Sequence, residues 1–435
     1  MSISDNSAVT IGCVSMTHLG LVHAAAFADK GFNVVGYDAS DRLIAQLKTY
    51  KLPVSEPQLD ALVAEHSDRL TFTNELSDIH SCDVVFISCD VPTDDKGNSD
   101  LTTIHDLIST VTPYLADQAC LVILSQVPPS FTRQLAFSAH TVFYQVETLI
   151  FGRAVDRAVN PERYIVGMTS PELPLPKDYQ QLLASFNCPI LKMRYESAEL
   201  AKISINMFLV SSVSTTNTIA ELCEQIGADW NEIAPALRLD KRIGPYAYLT
   251  PGLGISGGNL ERDLNTITKF GQAHHTDVGV VDAWLHNSVR RKNWVYEQLQ
   301  ACVLNNLEDP LICILGIAYK PNTHSIKNSP SVELIDKLKN CCINTHDPVV
   351  TYTNSNTQQK TTVQAAIEQA DVVIIMTPWA EYSSLSIAQL KKQMNGNVII
   401  DPFHVLSMDA ADAIEGIEYR SLGQAPVLEV ECQSN

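Results

Sequence analysis

The stretch AVTIGCVSMTHLGLVHAAAFADKGFNVVGYD, residues 8–38, decides the fold. Ala8–Val14 is a continuous apolar run, as expected of a parallel strand covered on both faces. His18–Lys30 carries a helical pattern that stops at Gly31, and Asn33–Asp38 is a second apolar strand. A strand, a turn, a helix opening at a glycine and an acidic residue closing the next strand make the layout of a dinucleotide-binding fold. The turn Ser15-Met16-Thr17-His18-Leu19-Gly20 keeps only the third glycine of GxGxxG. Ser15 and Thr17 bring Cβ atoms where the tight turn and a pyrophosphate want none, although their hydroxyls could donate to phosphate. Gly12 lies too early, inside the strand, to substitute. Asp38 is placed to accept from ribose hydroxyls and would repel a 2′-phosphate, which favours NAD over NADP; Arg42 argues the other way. On this stretch alone, a Rossmann-like sheet without a dinucleotide is the alternative. His18 reads as an exposed residue of the first helical turn.

Outward from this unit, Asp83–Cys89 and Ala119–Ser125 are further apolar runs of the parallel-strand kind. The pattern changes at Glu196–Ile226, where apolar residues keep a helical period over some thirty positions without Pro or Gly. A Gly/Pro-rich loop, Gly244–Gly258, and helices over Val280–Leu304 follow. Past Pro310 the α/β rhythm restarts, with strands at Leu311–Gly316, Ile343–Asp347, Asp371–Thr377 and Asn397–Asp401 and a helix near Ser331–Lys339. The expected architecture is α/β: two Rossmann-like domains joined by a long helix and a helical dimerisation domain. The expected boundaries are 1–190, 191–305 and 306–435, with a loose tail after Val430. The long helix carries apolar residues on more than one face, which points to a homodimer.

Across 435 residues, 30 Lys+Arg stand against 49 Asp+Glu, a formal charge of −19. That balance argues against nucleic acid and against anionic membrane surfaces as partners, since both demand basic patches. No apolar run reaches the ~20 residues of a membrane helix. The first residues lack the charged and apolar regions of a signal peptide. The 11 cysteines are scattered, without metal-ligand spacing, so free thiols in a reducing cytoplasm and no metal site are expected.

Further motifs run through nearly the whole chain. They are Gly20-Leu21-Val22; Ser55-Glu56-Pro57-Gln58-Leu59; Val91-Pro92-Thr93 with Gly97 and Asp100-Leu101; Ser125-Gln126-Val127-Pro128; Glu147, Gly152 and Ala154 followed by Asn160-Pro161-Glu162-Arg163; and Ala198-Glu199-Leu200-Ala201-Lys202 with Asn206 and Phe208. Arg242-Ile243-Gly244-Pro245, Pro251-Gly252-Leu253-Gly254 and Lys320-Pro321-Asn322-Thr323 with Ser329-Pro330 complete the set. In this order they resemble the UDP-glucose/GDP-mannose dehydrogenase family. Gln58 stands where that family's YEPGL turn has glycine, and Gln126 where its STVP has threonine.

The resemblance implies an enzyme that oxidises the C6 alcohol of a nucleotide sugar to a carboxylate with two NAD. The aldehyde stage is held on a Cys within a GGSCFPKD loop. Here the loop reads Gly254-Ile255-Ser256-Gly257-Gly258-Asn259-Leu260-Glu261-Arg262-Asp263. Asn259 takes the place of the nucleophile, and an amide nitrogen is no substitute for a thiolate. Glu261 replaces the proline, Arg262 the lysine, and Lys327 the arginine before Ser-Pro. The resemblance implies catalytic roles for Lys202, Asn206, Asp263, Glu147 and the Asn259 position. It implies cofactor contacts from Ser15, Thr17, Gly20, Asp38, Arg42, Pro92, Thr93, Gln126 and Lys327. For the substrate it implies Glu147, Lys202, Asn206, Arg242, Tyr248, Gly254, Gly257 and Lys320, with the loop glycines allowing close approach of the sugar and Arg242 reaching into a partner's pocket. Two-electron oxidation, a hydride-returning epimerase-like reaction and nucleotide-sugar binding without turnover are all open.

Overall fold

A computed structural model of the protein describes residues 9–92, 94, 99–135, 141–406 and 416–425. The chain divides into two compact units, residues 1–205 and 206–435. The first is built on eight strands: β1 (Thr10–Val14), β2 (Asn33–Tyr37), β3 (Leu70–Thr73), β4 (Val84–Ile87), β5 (Cys120–Ile123), β6 (Thr141–Gln145), β7 (Tyr164–Met168) and β8 (Ile190–Arg194). They lie in the order β3-β2-β1-β4-β5-β6-β7-β8. Every neighbouring pair is parallel except β6 with β7. The sequence pattern marks β1, β2, β4 and β5, and misses β7, which is buried at every position. Strand β8 escapes it because Lys192 and Arg194 interrupt its apolar residues and none of its positions is buried.

Helix α1 (His18–Asp29) crosses from β1 to β2 and is buried from Gly20 through Ala28. Its alanine-rich sequence lets it lie against the sheet without large side chains, and it stops at Gly31, whose φ is +90°. The long helix α2 (Tyr195–Ile226) has 32 residues and begins one residue before the expected Glu196.

The second unit repeats the winding. Its strands are β9 (Leu311–Leu315), β10 (Cys342–His346), β11 (Thr357–Gln359), β12 (Val372–Ile375), β13 (Val398–Ile400) and β14 (Glu418–Arg420). The order is β11-β10-β9-β12-β13-β14, and all pairs are parallel. Helices α3 (Asn259–Ala273) and α4 (Gly279–Lys292) precede this sheet. The C-terminal part of α2 is fastened to α4 by a buried ion pair: Arg291 donates to Glu224 at 3.1 Å, and the Trp294 indole donates to the same carboxylate at 2.7 Å. No helix among the described residues is long and apolar enough to cross a membrane. The segment after Val430 lies outside the described residues.

Candidate functional site

The turn after β1 shows what the lost glycines cost. Ser15 sits at φ +77°, a left-handed backbone that glycine adopts freely and serine does not. Gly20 is indispensable: a Cβ there would overlap the Ser15 carbonyl and come within 2.7 Å of Ser88 Oγ. Met16 turns into the core. Thr17 caps α1 without a side-chain cap bond. Its hydroxyl donates to the Ser88 carbonyl at 3.1 Å. Ser88, the residue after β4, can accept this bond because β4 pairs with β1 and so ends beside the turn.

Asp38 closes β2, with one carboxylate oxygen accepting from the Met16 amide at 2.9 Å and the other from the Ser40 amide at 3.0 Å. An ionised carboxylate accepts about four hydrogen bonds, so room for a ribose diol remains. Asp347 occupies the equivalent place after β10. Its oxygens accept from the amides of Ile317, Ala318, Val349 and Val350 and from the Trp379 indole. That carboxylate is saturated. Of these two aspartates, Asp38 is the one that keeps unused acceptor capacity, and the residues around it fit NAD. Arg42 and Pro92 are exposed, Gln126 follows β5 half-buried, and Thr93 and Gly97 lie outside the described residues.

A second group gathers within the same unit, where β6 ends. Lys202 of α2 donates to the Glu147 carbonyl at 2.7 Å and stands 3.7 Å from its carboxylate. The Leu149 amide donates to the other carboxylate oxygen. Burial raises the Glu147 pKa, with Lys202 and then His18 opposing. Glu147 is therefore a carboxyl able to take up a proton nearer neutrality than an exposed glutamate does. His18 is not the exposed helix residue expected. Its Nε2 lies 3.0 Å from Glu56 Oε2, and its ring centroid lies 4.4 Å from that of Phe151. Burial is possible because α1 starts beneath the 147–154 segment, a proximity no local pattern announces. Glu56 belonged to a quoted motif, yet nothing in its spacing named His18 as its partner. Gln58, two residues on, has φ +70°, the backbone that explains a glycine in the family's turn.

In the second unit Asn206 donates to Asp263 at 2.5 Å, and Arg262 lies 3.3 Å from the other oxygen of that carboxylate. Asp263 is almost wholly buried. Asn259 is exposed and is the first residue of α3. The glycines of the loop differ in what lies along the direction a Cβ would take. At Gly254, with φ +75°, a Cβ would meet the Ser288 carbonyl at 2.5 Å. Gly257, with φ +79°, faces the Tyr319 ring, and Gly258 faces the Lys327 side chain, so this space is filled by the chain itself. At Gly244 and Gly252 a Cβ would meet nothing. The 254–261 loop is tied to the 325–329 loop by Asn328, which donates to the Gly257 carbonyl at 3.0 Å and to Glu261. Burial raises the Glu261 pKa, against the pull of Lys292, 3.4 Å away. Lys320 lies over the Tyr319 ring. Arg242 is exposed and pairs with Asp240; Tyr248 is half-exposed.

Residues 9–182 match the UDP-glucose/GDP-mannose dehydrogenase family, NAD binding domain. Residues 196–288 match its central domain and 313–408 its UDP binding domain. The UDP-glucose 6-dehydrogenase TuaD of Bacillus subtilis is 28% identical over 436 residues, covering 96% of this chain and 94% of its own length. A UDP-glucose 6-dehydrogenase of Rhizobium meliloti is 28% identical over 437 residues, covering 95% and 99%. Among solved structures, a UDP-glucose dehydrogenase of Pyrobaculum islandicum superposes with TM-score 0.83 at 25% identity, covering 97% of this chain and 99% of its own.

Proposed function

The chain belongs to the UDP-glucose/GDP-mannose dehydrogenase family and uses NAD, and from that premise we propose that it oxidises the C6 alcohol of a nucleotide-diphosphate sugar, most readily a UDP-sugar, by a route altered at the aldehyde stage. The observation that carries the alteration is Asn259, exposed at the start of α3 where the family has its nucleophilic Cys. No thiol stands in. The ten described cysteines are unpaired, none falls in the 254–263 loop, and burial holds Cys302 up at about 11 and Cys82 at about 12. Unpaired thiols also agree with a cytoplasmic location.

NAD supplies the hydride acceptor. Lys202, held by the Glu147 carbonyl, offers an ammonium to the developing alkoxide. Asn206 and Asp263 orient the sugar, and Asp263 accepts a proton through water. Glu147 positions the C6 centre. Arg262 keeps Asp263 paired where the family's lysine would sit. Lys320 takes the diphosphate side of the nucleotide, and Arg242 reaches into the partner's pocket of a homodimer. For that dimer the support is the apolar surface of α2, where Phe208 is 77% and Ile226 67% exposed.

The decisive experiment is stoichiometry. The protein is incubated with NAD and a panel of UDP-, GDP- and dTDP-sugars, and NADH and product mass are measured. One NADH per sugar, with a carbonyl trapped by hydroxylamine, is expected. Two NADH and a uronic acid at an ordinary enzymatic rate would overturn the altered route. A changed stereocentre without net NADH identifies the hydride-returning reaction, and binding without any change identifies a pseudoenzyme. Asn259→Cys alone is not expected to restore four-electron oxidation. Gln126, Glu261 and Arg262 differ as well, and a misplacement of about 1 Å can cost ~100-fold.

A further inference from the structure

We propose that His18 and Glu56 form a positioning pair that couples the cofactor turn to the segment carrying Glu147. His18 is the first residue of α1, directly after the turn, and its side chain is 12% exposed. Glu56 is 1% exposed and uses both oxygens. Oε2 accepts from His18 and from the Gly152 amide at 3.1 Å, and Oε1 accepts from the Ala154 amide at 2.8 Å. Phe151, between those contacts and Glu147, packs against the imidazole with the two rings tilted by 32°. Gly152 has φ +87°, so the chain reverses where it presents its amide to the carboxylate.

The segment from Glu147 to Ala154 is held at three places. Lys202 holds the Glu147 carbonyl, and Arg157 holds the Thr148 carbonyl at 3.2 Å. Glu56 holds the far end. Of the three, only Glu56 is joined to the dinucleotide turn, and it is joined through His18. A buried carboxylate left with backbone amides alone would be underpaired, so the imidazole both balances Glu56 and fixes the segment's distance from α1. The side-chain hydrogen bond from His18 and the amides of Ala154 and Gly152 together outweigh burial and keep Glu56 below the usual glutamate range. The carboxylate is thus an anion whenever the enzyme works. What the pair needs from His18 is an N–H donor at Nε2.

The proposal rests on the reading of Glu147 as a group at the substrate, and the test separates the two. Amide exchange of the full-length protein is followed by mass spectrometry in His18→Ala and His18→Gln, beside calorimetric titrations with UDP-glucose and NAD. Gln places an N–H near the position of Nε2. In His18→Ala the amides of 149–154 are expected to exchange about tenfold faster, the loss of one charge-assisted hydrogen bond. Exchange in β1, β4 and β5 stays unchanged, and UDP-glucose affinity falls by a similar factor. His18→Gln restores both. The pair is refuted if His18→Ala leaves exchange of 149–154 unchanged, or if His18→Gln behaves as His18→Ala does, since the imidazole would then act by another means. Glu147→Gln is the reference: if it leaves UDP-glucose affinity unchanged, the reading of Glu147 fails, while the exchange result still decides the pair.

Discussion

At the scale of single residues, the cofactor turn works under strain that its sequence need not carry. Ser15 at φ +77° and Gln58 at φ +70° occupy conformations that cost an L-residue about 1 kcal/mol or more. Ser15→Gly should therefore stabilise the protein by about 1 kcal/mol, a rise of roughly 2–4 °C in melting temperature for a unit of this size. A calorimetric scan showing no rise would mean that the Ser15 side chain returns the cost through contacts. We propose that Asp38 selects the cofactor. Its two unused acceptor sites face no 2′-phosphate favourably, so Asp38→Ala should weaken NAD binding by about tenfold while easing NADP entry. Tighter NADP than NAD binding in the unmutated protein, by titration calorimetry, would reverse the assignment.

At the scale of elements, Glu56 joins α1 to the segment before the Ala154–Val159 helix, and its charge gives that joint a pH dependence. Its folded pKa is lowered, so its contribution is present above the ordinary glutamate range and is lost as pH falls through the lowered value. Thermal melts of the wild type and Glu56→Gln should differ most near neutrality and converge in acid. A gap that widens on acidification would contradict the sign. Helix α2 presents Phe208, Leu222 and Ile226 at 77%, 50% and 67% exposure, a large apolar surface for one helix. Phe208→Glu with Leu222→Glu should convert a dimer into monomers at micromolar concentration by light scattering. A wild-type monomer at that concentration would remove the dimer from the account.

At the scale of the whole molecule, the chain uses one winding twice and assigns different work to each copy. Asp38 and Asp347 stand at the same place after the second strand of their sheets, but five donors consume Asp347. Asp347→Ala should cost ~3 kcal/mol or more by stranding buried amides, with no change in NAD affinity for the protein that remains folded. Chemical denaturation beside NAD titration checks both halves of that statement. The sequence by itself determined both windings, the long helix, the strained turn and the absence of cysteine from residues 254–263, because periodicity, backbone demands and residue identity are local properties. It also marked Lys202, Glu147, Asn206 and Asp263 as candidates. Only the tertiary structure decided who meets whom. His18 finds Glu56 across 38 positions and Lys202 finds Glu147 across 55. The glycines at 254, 257 and 258 turn out to be filled by Ser288, Tyr319 and Lys327. Two aspartates alike in sequence context differ in what they can still accept. Such partnerships depend on donors brought from distant strands and loops, and free acceptor capacity is a property of the packed surroundings that no stretch of sequence carries alone.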